Sequence, residues 1–437
     1  MIKRLLQASW RTYRNHGVVA LAEKGRGYLS KRAYRIRHAL HRHQESAEEK
    51  ALHDEYNIIS DDIFQITGED ISLSKTATSG LKPKDIKTAT WFMGYFSHFG
   101  FAGIQTIFRF IEKLSIEGVE NRIVIYDRPE LDVDMLKAQI AERFPRLQNY
   151  QVIVFTHDKE KGIRNLPASD IAFCTIWVSA YLLLQYAKTK RKYYFIQDYE
   201  PFFYVAGSTF ALAESTYRFG FRGIVNTPGL LSAVNQRHGM EGISFIPAID
   251  HTVYYPDPSR NNKRVRIFFY ARPLNPRNSF NLGLVTIKLL LGKYGKKIEI
   301  ITAGSEWDES QYGLGGRITN LGLIKSIDDV GALYRSCDIG FSFMLTKHTS
   351  YQLLEYAASN MATVINYNED HLWLHKDGEN CLLAEPSPAD MARRIGQLVD
   401  DPTLREKLAK NGRASLTGYT WDGQMDMLWN DIRQPER

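Results

Sequence analysis

The sequence predicts an α/β protein built from two doubly wound parallel sheets that face each other across a cleft. From residue 87 onward, short apolar runs alternate with segments of helical periodicity, and this alternation is typical of parallel sheets covered by helices. The Pro- and Asn-rich segment 250–262 interrupts the alternation, which then starts afresh. A chain of 437 residues, 44% of them hydrophobic, is long enough to form two such cores.

Residues 1–86 precede the first predicted strand, and we expect a basic helical extension followed by a polar connector. Between residues 1 and 43, eleven Lys and Arg stand against one acid, Glu23. This segment therefore carries a net charge of about +10. Because the whole chain carries +7, the rest of the chain carries about −3. Within the connector, residues 63–66 weakly predict a strand.

The basic segment, residues 1–45, also contains aromatic and aliphatic residues between its cations. This pattern is typical of an amphipathic helix on an anionic membrane surface. A helix that packs on the folded body or on a partner remains an alternative. No nucleic-acid motif accompanies the charge, and the rest of the chain is acidic, so we expect no nucleic-acid partner.

Three cysteines, Cys174, Cys337 and Cys381, lie far apart in apolar contexts. Their number and spacing predict neither a disulfide framework nor a metal site, so we expect a reducing compartment. The N-terminus lacks the long apolar region of a signal peptide. Together with the basic segment, these observations predict a cytoplasmic protein that is peripheral on the inner face of the plasma membrane.

Residues 87–250 are predicted to form the first domain. Strands are predicted at 89–93, 122–126, 151–155, 171–176, 193–197, 223–226 and 244–247, and helices at 104–114, 180–187 and 230–238. The loop after the first strand places Gly103 at a helix start, where the missing side chain would let a ligand approach the backbone. A role in turn geometry alone is the alternative for this glycine.

Two carboxylates, Asp198 and Glu200, follow directly after the strand at 193–197 and are flanked by aromatic residues. Ligands of open parallel sheets bind at the carboxyl ends of the strands. Aromatic rings cover the apolar faces of sugars while carboxylates bind their hydroxyls, so this arrangement predicts a sugar pocket. The alternative is a helix N-cap at either acid, ahead of Pro201.

Residues 263–410 are predicted to form the second domain, and residues 411–437 a C-terminal helix that crosses back to the first. Strands are predicted at 265–271, 298–303, 317–321, 339–344 and 362–367, and helices at 281–291, 328–335, 352–358, 388–400 and 404–437. Two similar domains joined by a short linker imply a cleft between facing sheet edges, which is a preferred place for a ligand.

Two loops of the second domain suit a nucleotide. Arg272 and Arg277 follow its first strand, and their planar, permanently charged groups match the oxygens of a diphosphate. Gly322 and Leu323 end another strand, where bared backbone groups can bond the edge of a base. Surface arginines in a Pro-rich loop and a glycine used only for a turn are the alternatives.

The segment 337–367 combines a strand, a polar turn, a short helix and a second strand. Thr349 or Ser350 can cap the helix, and the free N–H groups near Ser350 and Tyr351 suit a phosphate. Glu355, one turn into the helix, is placed to bind a sugar hydroxyl beside that phosphate. An ordinary βαβ unit with a surface Glu is the alternative.

The chain resembles glycosyltransferases of the GT-B fold in the GT4 family over about residues 87–430. More narrowly, it resembles bacterial rhamnosyltransferases that use dTDP-rhamnose in the assembly of cell-surface polysaccharides. The resemblance rests on the stretches FIQDYEP (195–201), FFYARPLNPRN (268–278), NLG (320–322), SYQLLEYA (350–357) and YTWD (419–422). It implies two Rossmann-like domains, of which the first binds the acceptor and the second the donor nucleotide.

The resemblance also implies roles for single residues. Arg272 and Arg277 would hold the donor pyrophosphate, with Gly103 opposite across the cleft, and Glu355 would bind the ribose. The family carries another Glu eight positions before the second one, and here that position is Lys347. The sugar-facing carboxylate of the family is thus replaced by a cation that suits contact with phosphate.

The implied reaction moves a sugar, rhamnose by the narrower resemblance, from a dTDP-linked donor to a growing cell-surface glycan, free or lipid-linked, with retention of configuration. Because the leaving phosphate assists the transfer, we expect no metal and no cofactor. Asp198, and next Glu200, are the expected acceptor-orienting carboxylates. Two alternatives remain, namely a GT-B epimerase of nucleotide sugars and a non-catalytic GT-B protein that binds a nucleotide sugar or a glycan.

Overall fold

A computed structural model describes residues 61–76, 80–97, 99, 102–155 and 162–435. The basic helices predicted in residues 1–45 lie outside the described residues. The chain divides into a unit that ends at Gln65 and a compact unit, Ile66–Arg437. In the first unit, Asp62–Phe64 form a 3-10 turn in which the Asp61 side chain accepts a hydrogen bond from the Ile63 N–H. The strand predicted at 63–66 is therefore wrong.

Seven parallel strands form the first sheet, in the order β3-β2-β1-β4-β5-β6-β7. Their bounds are β1 Thr88–Met93, β2 Glu120–Ile125, β3 Tyr150–Val154, β4 Ser169–Cys174, β5 Thr189–Ile196, β6 Arg222–Asn226 and β7 Gly242–Phe245. All seven coincide within a few residues with predicted strands. The central strands β1 and β4 were predictable because strands buried on both faces are written as apolar runs.

Six helices accompany this sheet in the described residues. They are α1 Gly68–Thr76, α2 Ala102–Ile116, α3 Val133–Arg143, α4 Trp177–Gln185, α5 Ser208–Ser215 and α6 Pro228–His238. The sequence did not predict α1, α3 and α5. These helices bury at most two residues each, so they lack the apolar stripe from which a helix is recognised.

The core of the first sheet is aromatic. Trp91 in β1 stacks on Phe173 in β4, with ring centroids 3.9 Å apart. The indole N–H of Trp91 donates to the side-chain oxygen of Asn121 in β2 at 3.0 Å, so this buried donor is satisfied. Three neighbouring strands are therefore cross-linked around the centre of the sheet, where the strand order reverses direction.

Six parallel strands form the second sheet, in the order β10-β9-β8-β11-β12-β13. Their bounds are β8 Val265–Ala271, β9 Ile298–Gly304, β10 Thr319–Asn320, β11 Ile339–Ser342, β12 Ala362–Asn366 and β13 Leu382–Ala384. The strand predicted at 317–321 is only two residues long. The three-residue strand β13 was not predicted because it is too short to show a period.

The helices of the second half are α7 Phe280–Tyr294, α8 Ile327–Ser336, α9 Tyr351–Ala358, α10 Pro388–Asp400, α11 Pro402–Ala414 and α12 Trp421–Ile432. The single helix predicted at 404–437 is wrong. Gly418 has a φ of 96°, and Thr420 caps a new helix by accepting from the Gly423 N–H at 3.1 Å. Helix α12 packs on the first half, where Arg222 binds Asp431 in a two-pronged ion pair.

Both sheets have the strand order of a doubly wound fold, which reverses between β1 and β4 and between β8 and β11. Ligands bind outside the carboxyl ends of the strands at such reversal points. The fold thus directs attention to the loops that follow β8 and β11. None of the described helices is both long enough and apolar enough to cross a bilayer.

Candidate functional site

Three loops from the two sheets meet at Asp198. This residue follows β5 and accepts a hydrogen bond from Arg277, which lies in the loop after β8. His348, in the loop after β11, places Nδ1 3.1 Å from the other carboxylate oxygen of Asp198. One carboxylate of the first sheet therefore contacts two nitrogen donors of the second sheet at its point of reversal.

The carboxylate of Asp198 is held in its charged form. Burial by itself would raise its pKa, but the nearby His348 and Arg277 and the N–H of Tyr199 outweigh burial and lower the pKa. A buried carboxylate that stays ionised at neutral pH is suited to accept a hydrogen bond from a hydroxyl or to attract a cation. It is not suited to donate a proton.

Glu200 lies apart from this cluster. Only 3% of its surface is exposed, and its carboxylate accepts from the Trp177 N–H at 2.5 Å and from the Tyr194 hydroxyl at 2.8 Å. Burial raises the pKa of Glu200 to about 8, although the Tyr194 hydrogen bond works against that shift. Both contacts tie the loop after β5 to the first sheet, so the geometry favours a structural role over the predicted catalytic one.

Lys347 forms a closely packed ion pair with Asp370, with 2.5 Å between Nζ and the nearer carboxylate oxygen. Asp370 follows β12, and its carbonyl oxygen touches the backbone of Gly229 at the start of α6 so closely that a side chain there would collide with it. The cation that we predicted to contact phosphate is therefore neutralised by a carboxylate in this structure, beside a contact between the two halves.

The loop that carries Lys347 and His348 is held in place by hydrogen bonds with two side-chain amides at the end of β12. Asn366 exchanges hydrogen bonds with the backbone of Met344, accepting at 2.6 Å and donating at 3.1 Å. Asn368 donates to the carbonyls of Met344 and Thr346. These contacts hold the loop after β11 in place, which is the rigidity that a binding site needs.

The start of α9 agrees with the predicted cap. The Ser350 side chain accepts from the Gln352 N–H at 3.4 Å, and the Tyr351 hydroxyl lies 2.6 Å from Thr106 Oγ1 in α2. Glu355 is partly buried and accepts a hydrogen bond from the Tyr254 hydroxyl. Burial raises the pKa of Glu355 to about 7, and the hydrogen bond from Tyr254 counteracts this shift.

The predicted glycine contacts are occupied by protein. Gln197 donates to the Gly103 carbonyl at 2.8 Å and lies over the position where a side chain of Gly103 would point. The Gly322 carbonyl accepts from the Gly304 N–H, and its own N–H donates to Asn320 at 3.2 Å. Both backbone groups of Gly322 are thus bonded within the protein, and Gln197 covers Gly103, whereas Leu323 is 62% exposed.

Arg272 and Arg277 line a cavity of about 800 Å³ that opens between the two halves. The Arg272 side chain is exposed, and its guanidinium lies 5.9 Å from the ring of Tyr270. The Arg277 guanidinium lies 4.4 Å from the ring of Phe203. A cavity of this volume is large enough for a ligand of several rings.

Sequence reasoning missed His348, Asp370, Asn366 and Asn368. His348 stood next to the predicted Lys347, and this position was the only available signal. Asp370 and the two asparagines lie at or after the end of a different strand, and no local pattern connects them with the loop after β11. The described residues bring together no group of three His, Cys, Asp or Glu side chains fit to hold a metal ion.

Two domain profiles of one family match the chain. The profile described as WsaF, N-terminal domain, matches residues 97–226, and the profile described as WsaF, C-terminal domain, matches residues 265–396. They follow one another along the chain and together cover more than half of it. The first match contains Asp198, and the second contains Arg277 and His348, so both sides of the cluster belong to matched domains.

A curated relative is the O-antigen biosynthesis protein RfbC of Myxococcus xanthus, which is 40% identical over 358 residues. The matched part is 82% of this chain but only 28% of the relative. The chain thus spans less than a third of the length of that protein.

Solved structures of the same fold include three proteins. TarM of S. aureus has a TM-score of 0.62 at 11% identity and covers 81% of this chain and 100% of its own. HepE of Anabaena, solved with UDP, has a TM-score of 0.61 at 14% identity and covers 79% of this chain and 99% of its own. A sucrose-phosphate synthase from Thermosynechococcus elongatus has a TM-score of 0.60 at 12% identity and covers 80% of this chain and 98% of its own. At such identities the likeness shows the fold, and it confirms the predicted GT-B architecture.

Proposed function

We propose that this chain, which carries both WsaF domains on the GT-B fold, is a glycosyltransferase of O-antigen or other cell-surface glycan assembly. The observation that carries the proposal is the meeting of Asp198, after β5 of the first sheet, with Arg277 and His348 at the point where the second sheet reverses. The 40% identity to an O-antigen biosynthesis protein supports the glycan context, and the UDP complex of a protein of the same fold supports a nucleotide-linked donor.

The finer proposal is a GT4-type enzyme that transfers rhamnose from dTDP-rhamnose with retention of configuration. In the reaction, an acceptor hydroxyl forms a bond to the anomeric carbon while the bond from that carbon to the diphosphate oxygen breaks. The hydroxyl proton passes to the leaving phosphate, so no further base is required. Arg272 and Arg277 stabilise the negative charge that develops on the diphosphate, and Asp198 orients the acceptor hydroxyl.

This assignment requires Asp198 to exchange partners. In the present structure its carboxylate neutralises Arg277, the cation proposed to hold the diphosphate. An arriving diphosphate carries more charge than one carboxylate and offers a planar guanidinium two oxygens. Binding of the donor therefore frees Asp198 for the acceptor, and the order of binding is donor first.

The experiment begins with thermal unfolding of the full chain in the presence of dTDP, UDP or GDP. We expect stabilisation by dTDP above the other two, because a ligand that binds only the folded state raises its unfolding temperature. The absence of stabilisation by any of the three would rule out a nucleotide-sugar enzyme. Release of dTDP from dTDP-rhamnose with glycan acceptors, compared with UDP release from UDP-glucose, then tests the donor.

A non-catalytic nucleotide-sugar or glycan-binding protein is the second candidate, and the ion pair of Lys347 with Asp370 favours it. Where the family resemblance predicts a carboxylate facing the sugar, this chain has a neutralised cation. A nucleotide-sugar binder would be stabilised by dTDP without releasing it from dTDP-rhamnose with any acceptor, and it therefore differs from the enzyme in turnover. A glycan binder would not be stabilised by dTDP at all.

We further propose that residues 1–45 bind the anionic inner face of the plasma membrane, with the catalytic part on the cytoplasmic side. The charge of this segment, eleven Lys and Arg against one acid before residue 44, supports the proposal. The full chain should float with vesicles that contain phosphatidylglycerol and not with neutral phosphatidylcholine vesicles. A chain without residues 1–45 should stay in the soluble fraction, and equal flotation of both chains would refute the proposal.

A further inference from the structure

The cavity beside Arg272 and Arg277 has walls from both halves of the chain. The first half contributes Phe203 and Tyr204, which follow β5 and expose 40% and 37% of their surfaces. The second half contributes Trp307 and Tyr312, which follow β9. Aromatic rings therefore line opposite sides of a space of about 800 Å³.

Polar groups lie between these rings. Glu306 and Gln311 line the same cavity and have exposed side chains, and Arg272 is exposed at its edge. The indole nitrogen of Trp307 is shielded from solvent and has no hydrogen-bond partner among the described residues. Rings beside carboxylate and amide groups match the surface of a pyranose, which has apolar C–H faces and a rim of hydroxyls.

The cavity and Glu355 lie over opposite faces of the second sheet. Trp307 and Tyr312 pack against the core cluster that contains Phe269 of β8, whereas the residues beside Glu355 in α9 belong to the cluster that contains Phe268. Successive residues of a strand point to opposite faces. If the nucleoside of the donor lies at Glu355 and its diphosphate lies at Arg272 and Arg277, the aromatic part of the cavity is left free for a different ligand.

The cavity also adjoins the cluster around Asp198. The ring of Phe203 lies 4.4 Å from the guanidinium of Arg277, which in turn binds Asp198. A ligand seated on Phe203 is therefore next to both the proposed diphosphate cation and the proposed acceptor-orienting carboxylate. The attacking hydroxyl of an acceptor must reach this place.

We propose that this cavity is a carbohydrate-binding subsite that takes the glycan acceptor, with Phe203 on one side and Trp307 and Tyr312 on the other stacking on sugar rings. That the bound carbohydrate is the acceptor rests on the proposed glycosyltransferase function. That the cavity binds carbohydrate at all rests on the geometry of its lining alone.

The test uses saturation-transfer NMR on the full chain with five probes. They are methyl α-L-rhamnopyranoside, methyl α-D-mannopyranoside, methyl β-D-galactopyranoside, maltotriose and triacetylchitotriose. We expect irradiation of the aromatic protons to transfer saturation to at least one probe. Phe203→Ala should weaken its binding by about threefold to tenfold, the usual worth of one aromatic contact.

A matched control is available in Tyr255→Ala. Tyr255 is 42% exposed and packs on Arg335 at 4.1 Å, much as Phe203 packs on Arg277, but it lies outside the cavity. This variant should bind the probe as the unaltered chain does. A second cavity variant, Gln311→Ala, removes an exposed side chain that does not contribute to the core and should also weaken binding.

The outcomes separate this inference from the proposed function. No transfer to any of the five probes, or equal binding by Phe203→Ala and Tyr255→Ala, overturns the carbohydrate subsite. Displacement of the probe by dTDP also overturns it, because the cavity would then belong to the donor. Probe binding that depends on Phe203, without any stabilisation by dTDP, UDP or GDP, would support the subsite while the glycosyltransferase proposal fails.

Discussion

Asp198 of the first sheet accepts a hydrogen bond from Arg277 of the second sheet, so each of the two groups proposed to act on substrate is the partner of the other. The pair joins the loops after β5 and β8. Its separation into a diphosphate-bound Arg277 and a free Asp198 gives the first prediction.

Asp198→Asn should lower turnover and tighten nucleotide binding. The amide cannot attract an acceptor hydroxyl as a carboxylate does, and we expect turnover to fall at least about 100-fold. It also no longer competes for Arg277, so the dissociation constant of dTDP should fall roughly fivefold, equivalent to about 1 kcal/mol for a partly exposed pair. Titration calorimetry and initial rates measure the two effects. Asp134→Asn on the exposed face of α3 is the control, and unchanged turnover in Asp198→Asn would contradict the proposed role.

Arg272→Ala and Arg277→Ala should each weaken dTDP binding about tenfold to 100-fold, the usual value of a charged hydrogen bond to phosphate. Thymidine, which lacks phosphate, should bind all chains equally. Arg264→Ala removes a comparable side chain that pairs with Glu299 away from the cleft, and it should bind dTDP normally. A parallel loss of thymidine binding would show that the arginines support the fold of the site and do not contact the diphosphate.

Glu200→Gln should change how stability depends on pH. The pKa of Glu200 is about 8 in the folded chain against an ordinary value of 4.5, so between these values the folded state keeps a proton that the unfolded state has lost. Stability therefore falls as pH rises through this window, by on the order of 1.4 kcal/mol per pH unit from this group.

In Glu200→Gln the contribution of this carboxyl group to the pH dependence of stability is absent. The amide oxygen can still accept hydrogen bonds from Trp177 and Tyr194. Urea unfolding at pH 5 and pH 8 should show a smaller loss of stability in the variant than in the unaltered chain. Glu142→Gln, an exposed substitution in α3, should leave the pH dependence unchanged. Equal pH slopes for all three chains would mean that Glu200 is ionised in the folded state.

Lys347→Glu restores the residue type that the family resemblance predicts, but it should not restore a working site. The new carboxylate would face Asp370 in a space where the side chains of Lys347 and Asp370 are now 14% and 9% exposed. We expect a loss of about 3 kcal/mol in stability, as is usual when a buried pair is broken.

Exchange of the two charges tests this explanation. The double variant Lys347→Glu with Asp370→Lys should regain most of the lost stability in thermal unfolding, because the pair is rebuilt in reverse. Glu69→Lys in exposed α1 is the control for an added positive charge. If the double variant is no more stable than Lys347→Glu alone, the ion pair does not hold the loop.

The central strands of both sheets could be predicted because they are buried on both faces and so consist of apolar runs. Helices such as α3, with only Leu136 and Ile140 buried, could not, since most of their residues face solvent. The break between α11 and α12 depends on the backbone conformation of Gly418, and a glycine within a helical pattern does not by itself reveal a φ of 96°.

The candidate site, too, could be predicted only in part. The sequence by itself determined that Asp198, Arg272, Arg277 and the segment around Glu355 follow predicted strands, and parallel strands place their carboxyl ends at one edge. Only the tertiary structure decided which of them touch. Arg277 lies 79 residues from Asp198, and His348 lies 150 residues from it. A contact over such a separation depends on how two sheets pack, which no local pattern of residues records.

The packing of the strands also explains why Lys347 and Gly103 contact other residues of the protein where we predicted contact with a ligand. A cation and a bare glycine each suit a ligand when considered alone. In the folded chain Asp370 approaches from the loop after β12 and Gln197 from the end of β5, and both satisfy groups that the sequence left open. Residue chemistry determined what each position can bind, and the packing of the strands decided what it does bind.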